Sequence, residues 1–261
     1  MAQNEKQKMM YLYEGGNIFG DGPIRKEYVP GIIELVQGNL PQGIKAIPHI
    51  GSAGFKVESG DMDLFIDAST LMKKFDAADD KKAKEALAQF MAAKGFKTKI
   101  SGRNVHIEVP YKTPQGTHSV QVDLMVIVDA DVVAPWHQHG PRGMYDQPGF
   151  KGAHNFMLMS SIAKHLNLKF DPFGAKLMNR ETNEVVGRTR KEVAKILLGP
   201  KAKEDDLNSV ASMMTALKSD PDREGKLAQA RQDAAKGLIT LPEDIAPGTG
   251  AWFRQMDTLV K

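Results

Sequence analysis

The sequence contains no cysteine in its 261 residues. A disulfide framework and thiolate-ligated metal sites are thereby excluded, and a reducing compartment suits the chain. Long apolar runs are missing too. The N-terminal MAQNEKQKMM lacks the hydrophobic stretch of a signal peptide. No segment reaches the roughly 20 apolar residues of a membrane-spanning helix. The expected location is the cytoplasm, with no membrane partner. A large excess of one charge is also absent: 35 Lys and Arg against 32 Asp and Glu leave a net +3. That permits contact with nucleic acid without arguing for it, because the electrostatic footprint would be a basic stripe. There is no internal repeat. At 41% hydrophobic and 26% charged residues the composition is that of an ordinary globular chain. Its length suits one large domain or two small ones.

What is present is a readable alternation of helices and strands. Val29, Ile32, Ile33 and Val36 recur at helical spacing, with Pro30 suited to an early turn. IKAIPHI, residues 44–50, reads as a strand, and GSAGFKVESG, residues 51–60, as a loop. DMDLFID, residues 61–67, is the next strand, with Met62, Leu64 and Ile66 on one face and Asp61, Asp63 and Phe65 on the other. Asp79 or Asp80 caps a helix that runs to about Lys94, with Ala83, Leu87, Phe90 and Met91 as its core stripe. Three strands follow, FKTKIS, NVHIEVPY and SVQVDLMVIV, separated by Gly102 and by TPQGT. In the last of these Val120, Val122, Leu124, Val126 and Val128 share a face and Asp123 lies opposite. Residues 135–152 read as a long loop, 153–166 as a helix, and 167–189 as a short strand pair. Thr189 to Glu192 forms a capping box opening a helix that ends at Gly199-Pro200. The remainder is helical and charged, broken at Ser219 to Asp222, and Trp252 and Phe253 are candidates to dock the tail on the body.

Three features carry chemistry. Gly51-Ser52 follows a strand, and the N–H groups of such a turn, with a serine hydroxyl, hold phosphate oxygens. Asp61 and Asp63 share one face of a strand, where two like charges so close call for a counter-ion. Asp123 projects from a separate apolar strand. Three carboxylates on strands suit Mg²⁺.

The stretch GSAGFKVESGDMDLFID resembles the signature of the DNA polymerase beta-like nucleotidyltransferase superfamily, in which Gly-Ser, a loop and Asp-x-Asp follow one another. SGDMD is especially similar to the family X DNA polymerases, VQVDLMVIV resembles the strand carrying their third aspartate, and the similarity runs from about Ile47 to Pro200. The resemblance implies an α/β (α+β) fold: a nucleotidyltransferase palm with a mixed sheet and flanking helices, plus a mostly helical C-terminal region. It divides the chain into an N-terminal helical segment (1–45), a palm (46–135), a thumb-like segment (136–200) and a helical extension (201–261). The reaction it implies moves a nucleoside monophosphate from an NTP or dNTP to a hydroxyl, releasing pyrophosphate. Two Mg²⁺ or Mn²⁺ ions would be held by Asp61, Asp63 and Asp123. Gly51 and Ser52 would meet the triphosphate, with Lys56 the available cation, and Asn155 would lie near the sugar or base, with Phe150 and Gly152 in the preceding turn. The implied acceptor is a 3′ end of DNA or RNA.

The sequence also departs from that pattern. The loop lacks the family's arginine and is one residue shorter, the helix FMLMSSIAKHL lacks the arginine expected to face a template strand, and no helix-hairpin-helix precedes the palm. These gaps weaken template-directed polymerisation more than nucleotidyl transfer. Two alternatives stand beside it: transfer to a small molecule or protein hydroxyl, and a binding module that has lost catalysis. Asn155 is equally readable as a helix cap, Asp67 as a strand-end cap, and His137 and His139 as surface residues without a third ligand.

Overall fold

In the computed structural model, which describes residues 18–55, 57–138 and 152–235, the chain divides into two compact units at Ala134 and Pro135. The first unit opens with a two-residue strand β1 (Ile24–Arg25) and helix α1 (Val29–Asn39). Pro30 falls in the first turn of α1, where no intrahelical N–H is required. Strands β2 (Ala46–Ile50), β3 (Glu58–Ser59) and β4 (Asp61–Asp67) follow, then helices α2 (Ala68–Phe75) and α3 (Asp80–Ala93). Strands β5 (Lys97–Ser101), β6 (Asn104–Thr113) and β7 (Gly116–Ile127) complete the sheet. Its order is β2-β4-β7-β6-β5. Only β4 and β7 run parallel; the other neighbours are antiparallel. The fold is mixed α/β, a five-stranded mixed sheet flanked by helices.

Alternation sorts the two faces. Met62, Leu64 and Ile66 of β4, Val105, Ile107 and Val109 of β6, and Val120, Val122, Leu124 and Val126 of β7 form one core with Val29, Ile32 and Val36 of α1, Leu71 of α2, and Ala83, Leu87 and Met91 of α3. Each fully buried aliphatic side chain of this kind contributes about 1.5–3 kcal/mol. The opposite face carries Asp63, Asp123 and their polar neighbours.

Helix α3 begins at an Asp79 cap, whose carboxylate accepts from the Lys82 N–H at 2.8 Å. It stops before Gly95, whose φ of +92° a side chain would resist. Helix α2 was not anticipated from the sequence. Asp67 creates it: Oδ1 accepts from the N–H and the hydroxyl of Thr70, at 2.7 and 2.8 Å. Asp67 is therefore a helix cap. Val128, expected on the core face of the last strand, lies beyond the end of β7 and is 62% exposed.

A further correction concerns residues 135–138. In sequence they read as the start of a long loop, yet helix α4 (Ala130–His137) carries Pro135 near its end. Val133, Ala134 and Trp136 are buried; an apolar surface seeking cover outweighs one missing helical N–H. The second unit continues with α5 (Gly152–His165) and strands β8 (Leu168–Asp171), β9 (Lys176–Asn179) and β10 (Val185–Gly187). The expected strand pair is thus a three-stranded antiparallel sheet, β10-β9-β8. Its third member is three residues long, too short for period-two alternation to register. Helix α6 (Arg190–Leu198) opens on the Thr189–Glu192 capping box. Helices α7 (Val210–Leu217) and α8 (Arg223–Ala235) flank the break at Ser219 to Asp222. Trp252, Phe253, Lys56, His139 and Phe150 lie outside the described residues.

Leu124 sits at the centre of the sheet core and is fully buried. Leu124→Ala is expected to cost about 2–5 kcal/mol of stability, read as a lowered urea midpoint. A drop below about 1 kcal/mol would mean that this face is loosely packed.

Candidate active site

The backbone of β4 and β7 builds the site. Asp63 and Asp123 are direct register partners across this parallel pair, and Asp61 stands opposite Gln121. Neighbouring strands lie about 4.8 Å apart, and two residues along a strand span about 6.6 Å. The three carboxylates expected to act together therefore do share one patch on one sheet face. Asp61 and Asp63 are half-buried, and Asp123 is 6% exposed.

Electrostatics register the crowding. Burial, then the charges of Asp61 and Asp123, push the Asp63 carboxyl well above the usual aspartate range. Asp123 is held by a hydrogen-bond network on the same face. The Nδ1 of His106, its register partner on β6, lies 2.7 Å from Asp123 Oδ1. Gln121 donates to the same oxygen at 2.9 Å, and Asn104 donates to Oδ2 at 3.2 Å. A carboxylate only accepts, so the His106 proton must sit on Nδ1. These neighbours were missed by sequence reasoning. The signal for His106 was present: it alternates with Val105 and Ile107 and so belongs to the polar face.

The Gly-Ser turn reaches the same place. Ile50, at the end of β2, pairs with Asp63, after a bulge in the edge strand. Gly51 follows with φ +78°. A Cβ built there would lie 2.7 Å from Asp63 Oδ2, so the backbone approaches the carboxylate as only glycine allows. Ser52 is half-buried and donates to the Ser59 hydroxyl at 3.2 Å. Gly51, Ser52, Asp61, Asp63 and Asp123 are thus grouped by the first unit.

Asn155 belongs to α5 of the second unit. It is 1% exposed, and its Nδ2 donates to the Asn208 carbonyl at 2.8 Å. Its Oδ1 has no partner among the described residues. His137 is buried, and its Nε2 donates to the Pro172 carbonyl at 2.9 Å, which requires that Nε2 carry the proton.

The donor set can be tested against a divalent cation. Among the described residues no three His, Asp or Glu side chains form a ready-made metal cage. The chemistry of the patch still fits a hard cation: three carboxylates, no thiolate, and one acid whose proton affinity is raised by burial and by its negative neighbours. No helix among the described residues is long and apolar enough to cross a membrane. No protein-family model and no curated protein matches the chain.

The raised Asp63 carboxyl has a measurable consequence. Between the ordinary aspartate value, about 4, and the higher folded value, the native state keeps a proton that the unfolded chain has released. Stability must therefore fall as pH rises through that window. Asp63→Asn has no such penalty. The variant should be more stable than wild type at neutral pH, and the margin should vanish at about pH 4 and below. Urea denaturation of both proteins across that range checks this; equal stability at neutral pH would count against the crowding.

Proposed function

We propose that the protein is a metal-dependent nucleotidyltransferase. It transfers a nucleoside monophosphate from an NTP or dNTP to a hydroxyl, with a nucleic-acid 3′ end as acceptor. The observation that carries this reading is the register of Asp63 against Asp123, with Asp61 two residues away and Gly51 packed on the Asp63 carboxylate. The resemblance of residues 51–67 to the polymerase beta-like signature supports it as well.

In the proposed reaction the acceptor hydroxyl gives up its proton to water, its oxygen attacks the α-phosphorus, the bond from that phosphorus to the bridging oxygen breaks, and pyrophosphate leaves with its electron pair. Bound divalent cations would neutralise charge on the phosphoryl oxygens and the leaving group. Asp61 and Asp63 would hold the cation that accompanies the nucleotide, and both, with Asp123, the cation beside the acceptor hydroxyl. The Gly51-Ser52 turn presents backbone N–H groups and a hydroxyl to the triphosphate. Gly51 also lets that turn and the Asp63 carboxylate occupy adjacent space, which brings phosphate and carboxylates within reach of one cation. Lys56 remains a candidate phosphate contact from the sequence. Asn155 remains a candidate contact to the nucleotide sugar or base.

The deciding experiment supplies Mg²⁺ or Mn²⁺, labelled NTPs and dNTPs, and a DNA, RNA, protein or small-molecule acceptor, and asks which acceptor becomes labelled. Label on a nucleic-acid 3′ end is the expected result. Label on a protein or small molecule would keep the chemistry and replace the acceptor. No label with any acceptor would favour a binding module without catalysis. Asp63→Asn should reduce transfer to below about one part in a thousand of wild type while the circular dichroism spectrum is unchanged; a folded variant with wild-type activity would remove Asp63 from the site.

Gly51→Ala supplies an independent check. The added methyl meets Asp63 Oδ2 and opposes a φ of +78°. Transfer should fall about tenfold or more, since misplacing a catalytic group by about 1 Å costs up to about a hundredfold. Full activity would show that the turn does not need to abut the carboxylate.

A further inference from the structure

Gln121 is 1% exposed, and each end of its amide is committed. Oε1 accepts from the backbone N–H of Ile18 at 2.6 Å and of Phe19 at 3.2 Å. Nε2 donates to Asp123 Oδ1 at 2.9 Å. Chemistry leaves no choice of orientation: reversing the amide would set NH₂ against two N–H donors and oxygen against a carboxylate. The other atom near Nε2, His106 Nδ1 at 3.4 Å, carries a proton and accepts nothing.

The segment that orients Gln121 is itself fastened to β7. Asp21 N–H donates to the Ser119 carbonyl at 3.2 Å, and Ser119 N–H donates back to Asp21 Oδ1 at 2.9 Å. Between these fixings Gly20 takes φ +92°. A Cβ there would lie 3.2–3.3 Å from the backbone of Ser119, Val120 and Gln121. The segment thus lies flat against the strand two residues from Asp123, in a conformation and at a distance that favour glycine. Pairing of residues far apart in sequence buries an amide that links this segment to the Asp123 carboxylate.

We propose that Gln121 is a positioning residue: the docked segment Ile18–Asp21 fixes its amide, and the amide fixes the Asp123 carboxylate for a divalent cation. This rests on the metal-dependent reading above. Asp123 has about four lone-pair directions; His106, Gln121 and Asn104 take three, which leaves Oδ2 with the open direction. Loosening the segment frees Gln121 to rotate, and Asp123 then loses one of the two donors that hold Oδ1. Outer partners of this kind are worth about 10–100-fold in metal affinity.

The test uses the full-length chain and four variants: Gln121→Met, which removes the amide; Gly20→Ala, whose methyl presses the segment off the backbone of Ser119 to Gln121; Asp21→Ala, which loosens the segment without touching the Gln121 amide or Asp123; and Gln121→Met combined with Asp21→Ala. Asp21 is exposed, so its variant should fold even if Gly20→Ala does not. Mn²⁺ alone is titrated by electron paramagnetic resonance. Each single variant should weaken Mn²⁺ binding about tenfold, and the double variant should be no weaker than Gln121→Met, because both changes act through one link. In metal-free protein, NMR of the Gln121 side-chain amide and of His106 Nδ1 should show shifts in Asp21→Ala. Where transfer is measured, kcat should fall with the nucleotide KM little changed. Unchanged Mn²⁺ affinity and unmoved resonances in Asp21→Ala and Gly20→Ala, with only a lowered melting temperature, would overturn the proposal and leave the segment purely structural. So would additive losses in the double variant. If wild type transfers no nucleotide at all, the reading of function fails, while the resonances and Mn²⁺ titration still decide the coupling.

Discussion

The parallel pairing of β4 with β7 is the constraint on which the rest depends. It is the one parallel contact in the sheet, and it places Asp63 directly beside Asp123. Carboxylates so placed repel, and burial adds to the cost; the raised proton affinity of Asp63 records both. A fold keeps such an arrangement only where surrounding interactions outweigh it. Here they do so from the reverse side of the same strands, where Met62, Leu64, Ile66, Val122, Leu124 and Val126 are packed under three helices. Strand alternation thus joins an electrostatically costly face to a strongly stabilised one.

The polar face is organised by neighbours rather than left to solvent. His106, Gln121 and Asn104 satisfy Asp123, and Gly51 gives room for the turn against Asp63. Asp67 stands on the same strand but serves a different end: one oxygen caps α2, and the other accepts from the Ala130 N–H at 3.4 Å. Three aspartates of one strand therefore differ by position: two lie on the carboxylate patch, and one shapes a helix end. The second unit is held by its own devices, including a buried Lys226–Asp220 pair at 2.7 Å and the contact of Lys164 with Asp233 at 2.6 Å. Breaking either would leave an uncompensated buried carboxylate.

Much was legible because local physics writes itself into short stretches. DMDLFID alternates, so its strand and the common face of Asp61 and Asp63 followed from period two. Asp79, Gly95 and the Thr189 capping box marked helix ends through specific backbone hydrogen bonds. Helix α2 was not legible, since ASTLMKKF spans only eight residues, too short for a helical period to stand out, and depends on the Asp67 cap. Helix α4 was hidden by its proline, and β10 by its brevity. His106 was half legible: alternation put it on the polar face, and closing the β6–β7 hairpin at Thr113 and Gly116 sets it opposite Asp123 when both strands are counted back equally.

The sequence by itself determined the longer strands, their faces and the candidate donors: a Gly-Ser turn, three carboxylates of suitable type, and no thiolates. These depend on residue chemistry and on periodicities only a few residues long. Tertiary structure alone decided that β7 inserts between β4 and β6, that Asp63 meets Asp123 in register, and that the backbone of Ile18 and Phe19 reaches Gln121. Such contacts join segments far apart along the chain. Their pairing is selected by which arrangement buries the most apolar surface with every backbone group bonded, a comparison among whole folds that no local pattern encodes.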